Sequence, residues 1–132
     1  MVAGFKGQDR PRRVVGIDTA HDADTTRAAV IKSARETLEL VGFDKALNAD
    51  EVIVDDRFSG PAYGLPNEET IVAIRMAAEY EAMITDPVYE GTSMAGLIGM
   101  AERGEFEKGA RVLYVHLGGA PALDAYHTAF AA

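Results

Sequence analysis

Tyr89-Glu90-Gly91-Thr92-Ser93 gathers a phenol, a carboxylate and the residue types of a helix start into one short stretch. A carboxylate set against a heteroaromatic nitrogen in a shielded site holds that nitrogen protonated, because the opposite charges stabilise each other there; the competing reading of Glu90 is a plain helix cap. A second candidate is Leu117-Gly118-Gly119, just past the apolar run Val112-Leu113-Tyr114-Val115-His116. Paired glycines let a backbone approach a ligand closely and can expose amides at a helix start, although a tight strand-to-helix turn uses them equally well. Other chemistries fit poorly. Asp55-Asp56 suggests a phosphoacceptor, but that site needs a lysine closing a late strand, where this chain has His116-Leu117-Gly118-Gly119. A dinucleotide loop needs Gly-x-Gly-x-x-Gly after a strand, and Ile17-Asp18 is followed by Thr19-Ala20-His21. His21, His116 and His127 lack metal-ligand spacing and read as cap, surface or strand-end residues, so no metal site is expected.

The elements that must position these groups alternate. Val14-Val15-Gly16-Ile17-Asp18 predicts a short buried strand. Asp22 to Thr25 offer helix caps, and Ile31, Ala34, Leu38 and Val41 follow at helical spacing up to Gly42 as the C′ residue. Glu51-Val52-Ile53-Val54-Asp55 predicts a second strand, and a turn-rich loop then runs to Asn67, the cap of a helix bearing Ile71, Ile74, Ala78 and Ala82 on one face. Ile84 to Tyr89 reads as extended, before a helix with Met94, Leu97, Ile98 and Ala101 inward that ends at Gly104. Val112 to His116 is the clearest strand, apolar enough for burial on both faces, and Pro121 suits the first position of a final helix. The pattern predicts an α/β fold: an open, largely parallel sheet of three to four strands flanked by helices, in a single unit spanning 1–132. Ligands in such sheets sit at the carboxyl ends of strands. That points to the segments after Asp55, around Tyr89 and after His116.

The 132 residues are 48% hydrophobic and 26% charged, ordinary for one globular domain. Lys and Arg number 13 against 21 Asp and Glu, and the net charge of −8 argues against a nucleic-acid or anionic-membrane partner. The basic cluster Arg10-Pro11-Arg12-Arg13 reads as a solvated turn. The absence of cysteine excludes disulfides, thiolate metal sites and a thiol nucleophile, and suits a reducing compartment. No apolar run reaches membrane-span length. A cytoplasmic protein is the expectation.

Three blocks carry a family resemblance: Asp56-Arg57-Phe58-Ser59-Gly60-Pro61-Ala62-Tyr63-Gly64-Leu65-Pro66-Asn67-Glu68, Asp86 to Met94, and Leu113 to Leu123. Long and correctly ordered, they resemble the C-terminal part of the 1-aminocyclopropane-1-carboxylate (ACC) deaminase and D-cysteine desulfhydrase family, enzymes dependent on pyridoxal phosphate (PLP) with the fold of the tryptophan-synthase β subunit (fold type II). The resemblance implies that Glu90 faces the pyridine nitrogen of PLP, that Tyr89 and Tyr63 are the active-site tyrosines meeting the substrate, and that Leu117, Gly118 and Gly119 line the cofactor pocket. It implies an amino acid substrate, ACC or D-cysteine, with Glu90 and Leu117 of the ACC deaminase type, and a homo-oligomer when complete. Thr92 stands where the family commonly has lysine. The Schiff-base lysine and the phosphate loop of the family lie N-terminal to the matching segment, and Lys6, Lys32, Lys45 and Lys108 are in other contexts. The expectation is therefore a C-terminal fragment, inactive alone; the alternative from another class is a non-catalytic α/β fragment that needs a separate N-terminal half.

Overall fold

A computed structural model of the chain describes residues 1–7, 12–20 and 22–131. His21 and the Arg10-Pro11 half of the expected basic turn lie outside the described residues. The chain opens with a short helix α1 (Val2–Lys6) and strand β1 (Val15–Ile17), followed by helix α2 (Ala23–Leu40). Asp22 caps α2 by accepting the Thr25 amide at 3.0 Å. Gly42, at φ +73, closes it as expected: the Gly42 and Phe43 amides turn back to the Glu39 and Leu38 carbonyls.

After a single 3-10 turn (Ala49–Glu51), strand β2 (Ile53–Asp55) pairs parallel with β1, Gly16 opposite Val54. The Asp18 amide extends the pairing to the Asp55 carbonyl at 2.8 Å. Helix α2 is thus the crossover of a β-α-β unit. Its inner face, Ala34 and Leu38, packs with Ala3, Leu47, Val52 and Val54 into one core cluster.

Helices α3 (Glu68–Glu81) and α4 (Glu90–Glu102) form the second cluster, around Ala73, Ala77, Met94 and Ala95. Asn67 caps α3 through the Thr70 amide at 2.8 Å, as its position predicts. Small residues let the helices meet closely. A Cβ at Gly91 would stand 2.6 Å from Ile74 Cγ1, and one at Gly96 would stand 2.8 Å from Ile17 of β1. Thr92 is buried in the same contact, its hydroxyl 3.5 Å from that of Thr70, so this position serves packing between the helices.

Two expectations are corrected. The sheet of the described residues has two strands rather than three to four, because Val112 to His116 pairs with no strand among them. Val112 and Leu113 are 49% and 79% exposed, not buried on both faces. An apolar run becomes a central strand only where neighbours hydrogen-bond both of its edges; this one joins no ladder and is held through the Tyr114 and His116 side chains instead. The final helix is a 3-10 segment (Ala120–Phe130) whose course breaks at Tyr126, φ −112 and ψ 17. No helix of the described residues is long and apolar enough to cross a membrane.

Candidate active site

Helix α4 starts where the sequence places its chemistry, and a buried aspartate builds that start. Asp86, 1% exposed, accepts the Val88 and Tyr89 amides on Oδ1, each at 2.8 Å, and the Glu90 amide on Oδ2 at 2.9 Å. Asp86 therefore does the capping, and the simple cap reading of Glu90 is set aside. Freed from that duty, the Glu90 side chain turns toward the segment after His116. Glu90 is 5% exposed; Oε1 accepts the Leu117 amide at 2.7 Å and Oε2 faces the Tyr114 hydroxyl at 2.9 Å.

The same Tyr114 hydroxyl lies 2.8 Å from the Glu90 carbonyl and 3.1 Å from Ser93 Oγ. Burial raises the Tyr114 phenol well above the usual tyrosine range, and the neighbouring Glu90 adds to this while Ser93 opposes it. Tyr114 thus stays a hydroxyl donor. His116 pins the segment a second time. Its Nε2 is 2.8 Å from the Ile84 carbonyl, which can only accept, so Nε2 carries the proton and Nδ1 is free to accept the Gly118 amide at 3.3 Å. Gly118 and Gly119 follow at φ +125 and +93, conformations that favour glycine. A Cβ at Gly118 would meet no atom within 4 Å, whereas one at Gly119 would collide with the Asp86 carboxylate.

Tyr89 and Tyr63 complete the cluster. Their hydroxyls hydrogen-bond to each other, and their rings meet edge-on with centroids 6.0 Å apart. The Tyr63 hydrogen bond, then partial burial, raise the Tyr89 phenol above the usual tyrosine range. Both rings are exposed, 61% for Tyr63 and 53% for Tyr89. The three segments singled out at strand ends thus converge: Tyr63 meets Tyr89, and the next residue, Glu90, meets Leu117. Leu117 contributes its amide, while its side chain is 83% exposed. A cavity of about 310 Å³ along α3 and α4, with Phe58, Met76, Ile98 and Arg103 in its walls, shares none of these residues.

Sequence reasoning passed over Asp86 and Tyr114 as functional residues. Asp86 had a usable signal, an acidic residue four positions before an acidic helix start with Pro87 between them. Tyr114 had none, because it looks like any aromatic residue of an apolar strand.

The chain belongs to the pyridoxal-phosphate dependent enzyme family, whose model matches residues 1–118. Its relatives within that family include the 1-aminocyclopropane-1-carboxylate deaminase of Ralstonia pickettii, 51% identical over 130 residues that cover 98% of this chain and 38% of that protein. The enzyme of the same name from Bradyrhizobium diazoefficiens is 52% identical, over 98% of this chain and 39% of that protein. That from Burkholderia lata is 49% identical, with 98% and 38% covered. The chain thus spans about two-fifths of the length of these curated relatives.

The residues gathered here fit one end of the family's cofactor. A carboxylate offers about four lone-pair sites, and Glu90 uses one on each oxygen for Leu117 and Tyr114. Each oxygen keeps acceptor capacity for a ring N–H, and the backbone at Gly118 faces open space.

Proposed function

We propose that this chain supplies the ring-nitrogen end and the substrate-side phenols of a pyridoxal-phosphate dependent ACC deaminase. The reaction opens the cyclopropane ring of ACC and, with one water consumed, releases 2-oxobutanoate and ammonia. The observation that carries the reading is Glu90, a buried carboxylate held by Leu117 and Tyr114 and next in sequence to Tyr89, whose phenol pairs with Tyr63, in a chain half-identical to proteins named for that activity.

When bound, the cofactor supplies an electron sink for breaking bonds in the substrate. Glu90 is the residue that would hold its ring nitrogen protonated, since a carboxylate in a shielded site favours the adjacent cation. The Leu117 amide and the Tyr114 hydroxyl orient that carboxylate. Tyr89 and Tyr63 share a hydrogen bond, so one hydroxyl donates outward while the other accepts; the pair can pass a proton to or from the carbon chain of an opening ring. The raised Tyr89 phenol keeps its own proton at neutral pH. Leu117, Gly118 and Gly119 would line the pocket with backbone.

The amine that carries the cofactor is assigned outside these residues. Lys6 pairs with Glu51 and Lys32 with Glu36, Lys45 reaches the Gly7 carbonyl, and Lys108 sits in an exposed turn. The test combines the chain with PLP and ACC, alone and together with the N-terminal three-fifths of a relative, and measures 2-oxobutanoate. Product is expected only from the combined sample. Turnover by the chain alone would overturn the assignment of the amine. Sulfide from D-cysteine without 2-oxobutanoate from ACC would overturn the deaminase reading.

A further inference from the structure

Residues 62–65 form a tight turn, closed by the Leu65 amide on the Ala62 carbonyl at 3.0 Å. Tyr63 and Gly64 are its two central residues. Gly64 is at φ +78, the conformation that the third position of such a turn reserves for glycine, and its own carbonyl takes no part in closing the turn. That carbonyl instead accepts the Tyr126 hydroxyl at 2.8 Å, from 62 positions along the chain. The segment carrying Tyr126 is tied down on either side. The Ala122 amide reaches the Gly119 carbonyl at 2.9 Å, and Arg75 of α3 reaches the Phe130 carbonyl at 3.3 Å. Its helical course breaks at Tyr126 itself. Tyr63 is mostly exposed, so little packing holds the turn, and surface turns move unless tethered.

We infer that Tyr126 is a positioning residue: by gripping Gly64 it sets the Tyr63 phenol against Tyr89 at the mouth of the site. The match to the family model ends at residue 118, before Tyr126. The catalytic meaning of the inference rests on reading the phenol pair as the substrate-side chemistry, but the contact itself requires no cofactor and is tested without one.

The test follows Tyr89 by NMR in the full 132-residue chain labelled with 13C at tyrosine Cζ, titrated from neutral to alkaline pH, with signals assigned through Tyr→Phe variants. Tyr63→Phe removes the hydrogen bond that retains the Tyr89 proton, and the Tyr89 titration moves to lower pH. Tyr126→Phe is expected to reproduce at least half of that movement. Leu38→Ala, a destabilised control in the other core cluster, is expected to lower the melting temperature and leave the Tyr89 titration in place. Gly64→Ala strikes the same contact from the other side: its Cβ would stand 3.4 Å from the Tyr126 hydroxyl on a backbone at φ +78. It keeps the test open should Tyr126→Phe fold poorly.

The inference is overturned where Tyr63→Phe moves the Tyr89 titration and both Tyr126→Phe and Gly64→Ala leave it at the wild-type position. It is overturned equally where Leu38→Ala moves it as far as Tyr126→Phe does. A Tyr63→Phe variant with an unmoved Tyr89 titration denies the phenol pair, and sinks both the inference and the substrate-side part of the functional reading. The titrations coming out as expected while the completed protein fails to act on ACC would sink the functional reading alone.

Discussion

Replacing Tyr114 with phenylalanine keeps the ring that packs against the α3–α4 cluster and deletes only its hydroxyl. What is lost is the contact to Glu90 Oε2 at 2.9 Å, with those to the Glu90 carbonyl and Ser93 Oγ at 2.8 and 3.1 Å. Glu90 is 5% exposed, so water does not replace the missing donor without rearrangement. A hydrogen bond to a charged acceptor is worth about 1.5–3 kcal/mol, and an unsatisfied buried acceptor forfeits that much. At about 2.1 cal/mol/K of unfolding entropy per residue, a chain of this length loses about 3–4 °C of melting temperature per kcal/mol, so the expected fall is about 5–11 °C. The assay is a pair of urea and thermal unfolding curves at pH 7. Glu90→Gln and the double variant complete the cycle, in which the two changes are expected to couple by about 1 kcal/mol or more, because without the carboxylate the hydroxyl has less to satisfy. A Tyr114→Phe cost below about 0.5 kcal/mol, or a cycle additive within that margin, would refute the claim that Tyr114 holds Glu90.

Asp86→Ala strips three amides at the start of α4 of their acceptor; we expect a loss of about 2 kcal/mol or more, from the upper end of N-cap deletions, with Asp86→Asn retaining part of it in the same urea titration. Gly91→Ala gains helix propensity of about 1 kcal/mol but drives a methyl to 2.7 Å from the Asp86 carbonyl and 2.6 Å from Ile74 Cγ1. Backbone cannot yield as a side chain end can, so the net result is destabilisation of about 1 kcal/mol or more, and a higher melting temperature would contradict the packing described. Asp18 supplies a pH signature. Burial pushes its carboxyl up, but hydrogen bonds from the Asp22 amide, the Thr26 hydroxyl and the Ala20 amide outweigh this and hold it below the usual carboxylate range. A carboxylate depressed by folding stabilises fully above its unfolded value of about 4, and that contribution is lost as pH falls through the folded value. Asp18→Asn is therefore expected to melt lower than wild type at pH 7, with the difference shrinking as pH falls below the unfolded value of about 4; a difference that acidification leaves unchanged would count against the assignment.

Local capping made much of this fold legible. Asp22, Gly42, Asn67 and Gly104 act where their residue types predict, because a cap is decided by a few neighbouring backbone groups. Helix α4 begins at Glu90, earlier than its apolar spacing suggests, because the deciding cap, Asp86, sits outside the helix, just before a turn over residues 87–89 that the sequence reads as extended. The run at Val112 was misread for the opposite reason. Strand formation depends on hydrogen-bonding partners distant in sequence, and no local feature of Val112 to His116 records whether they are there. In the candidate site, Glu90 and the two tyrosines were accessible through residue type and resemblance. The hydroxyls that hold them in place, Tyr114 and Tyr126, were not, since tyrosine in an apolar stretch looks the same whether its hydroxyl is idle or bonded.

The misread strand and the candidate site share one cause. A strand within a sheet is placed by its ladder, and the groups at its end inherit that placement. Here the segment from Tyr114 to Gly119 is placed instead by contacts at separate points: Tyr114 to Glu90, His116 to the Ile84 carbonyl, and the Leu117 amide to Glu90. The latter two lie on either side of Asp86, which fixes Glu90 through the start of α4. Glu90 is consequently anchor and anchored at once: it positions Leu117, and Tyr114 and Leu117 position it. Such reciprocal contacts form or fail together, so Tyr114→Phe, Glu90→Gln and His116→Ala should each expose the Leu117 amide to exchange with solvent, beyond what the lost stability alone accounts for.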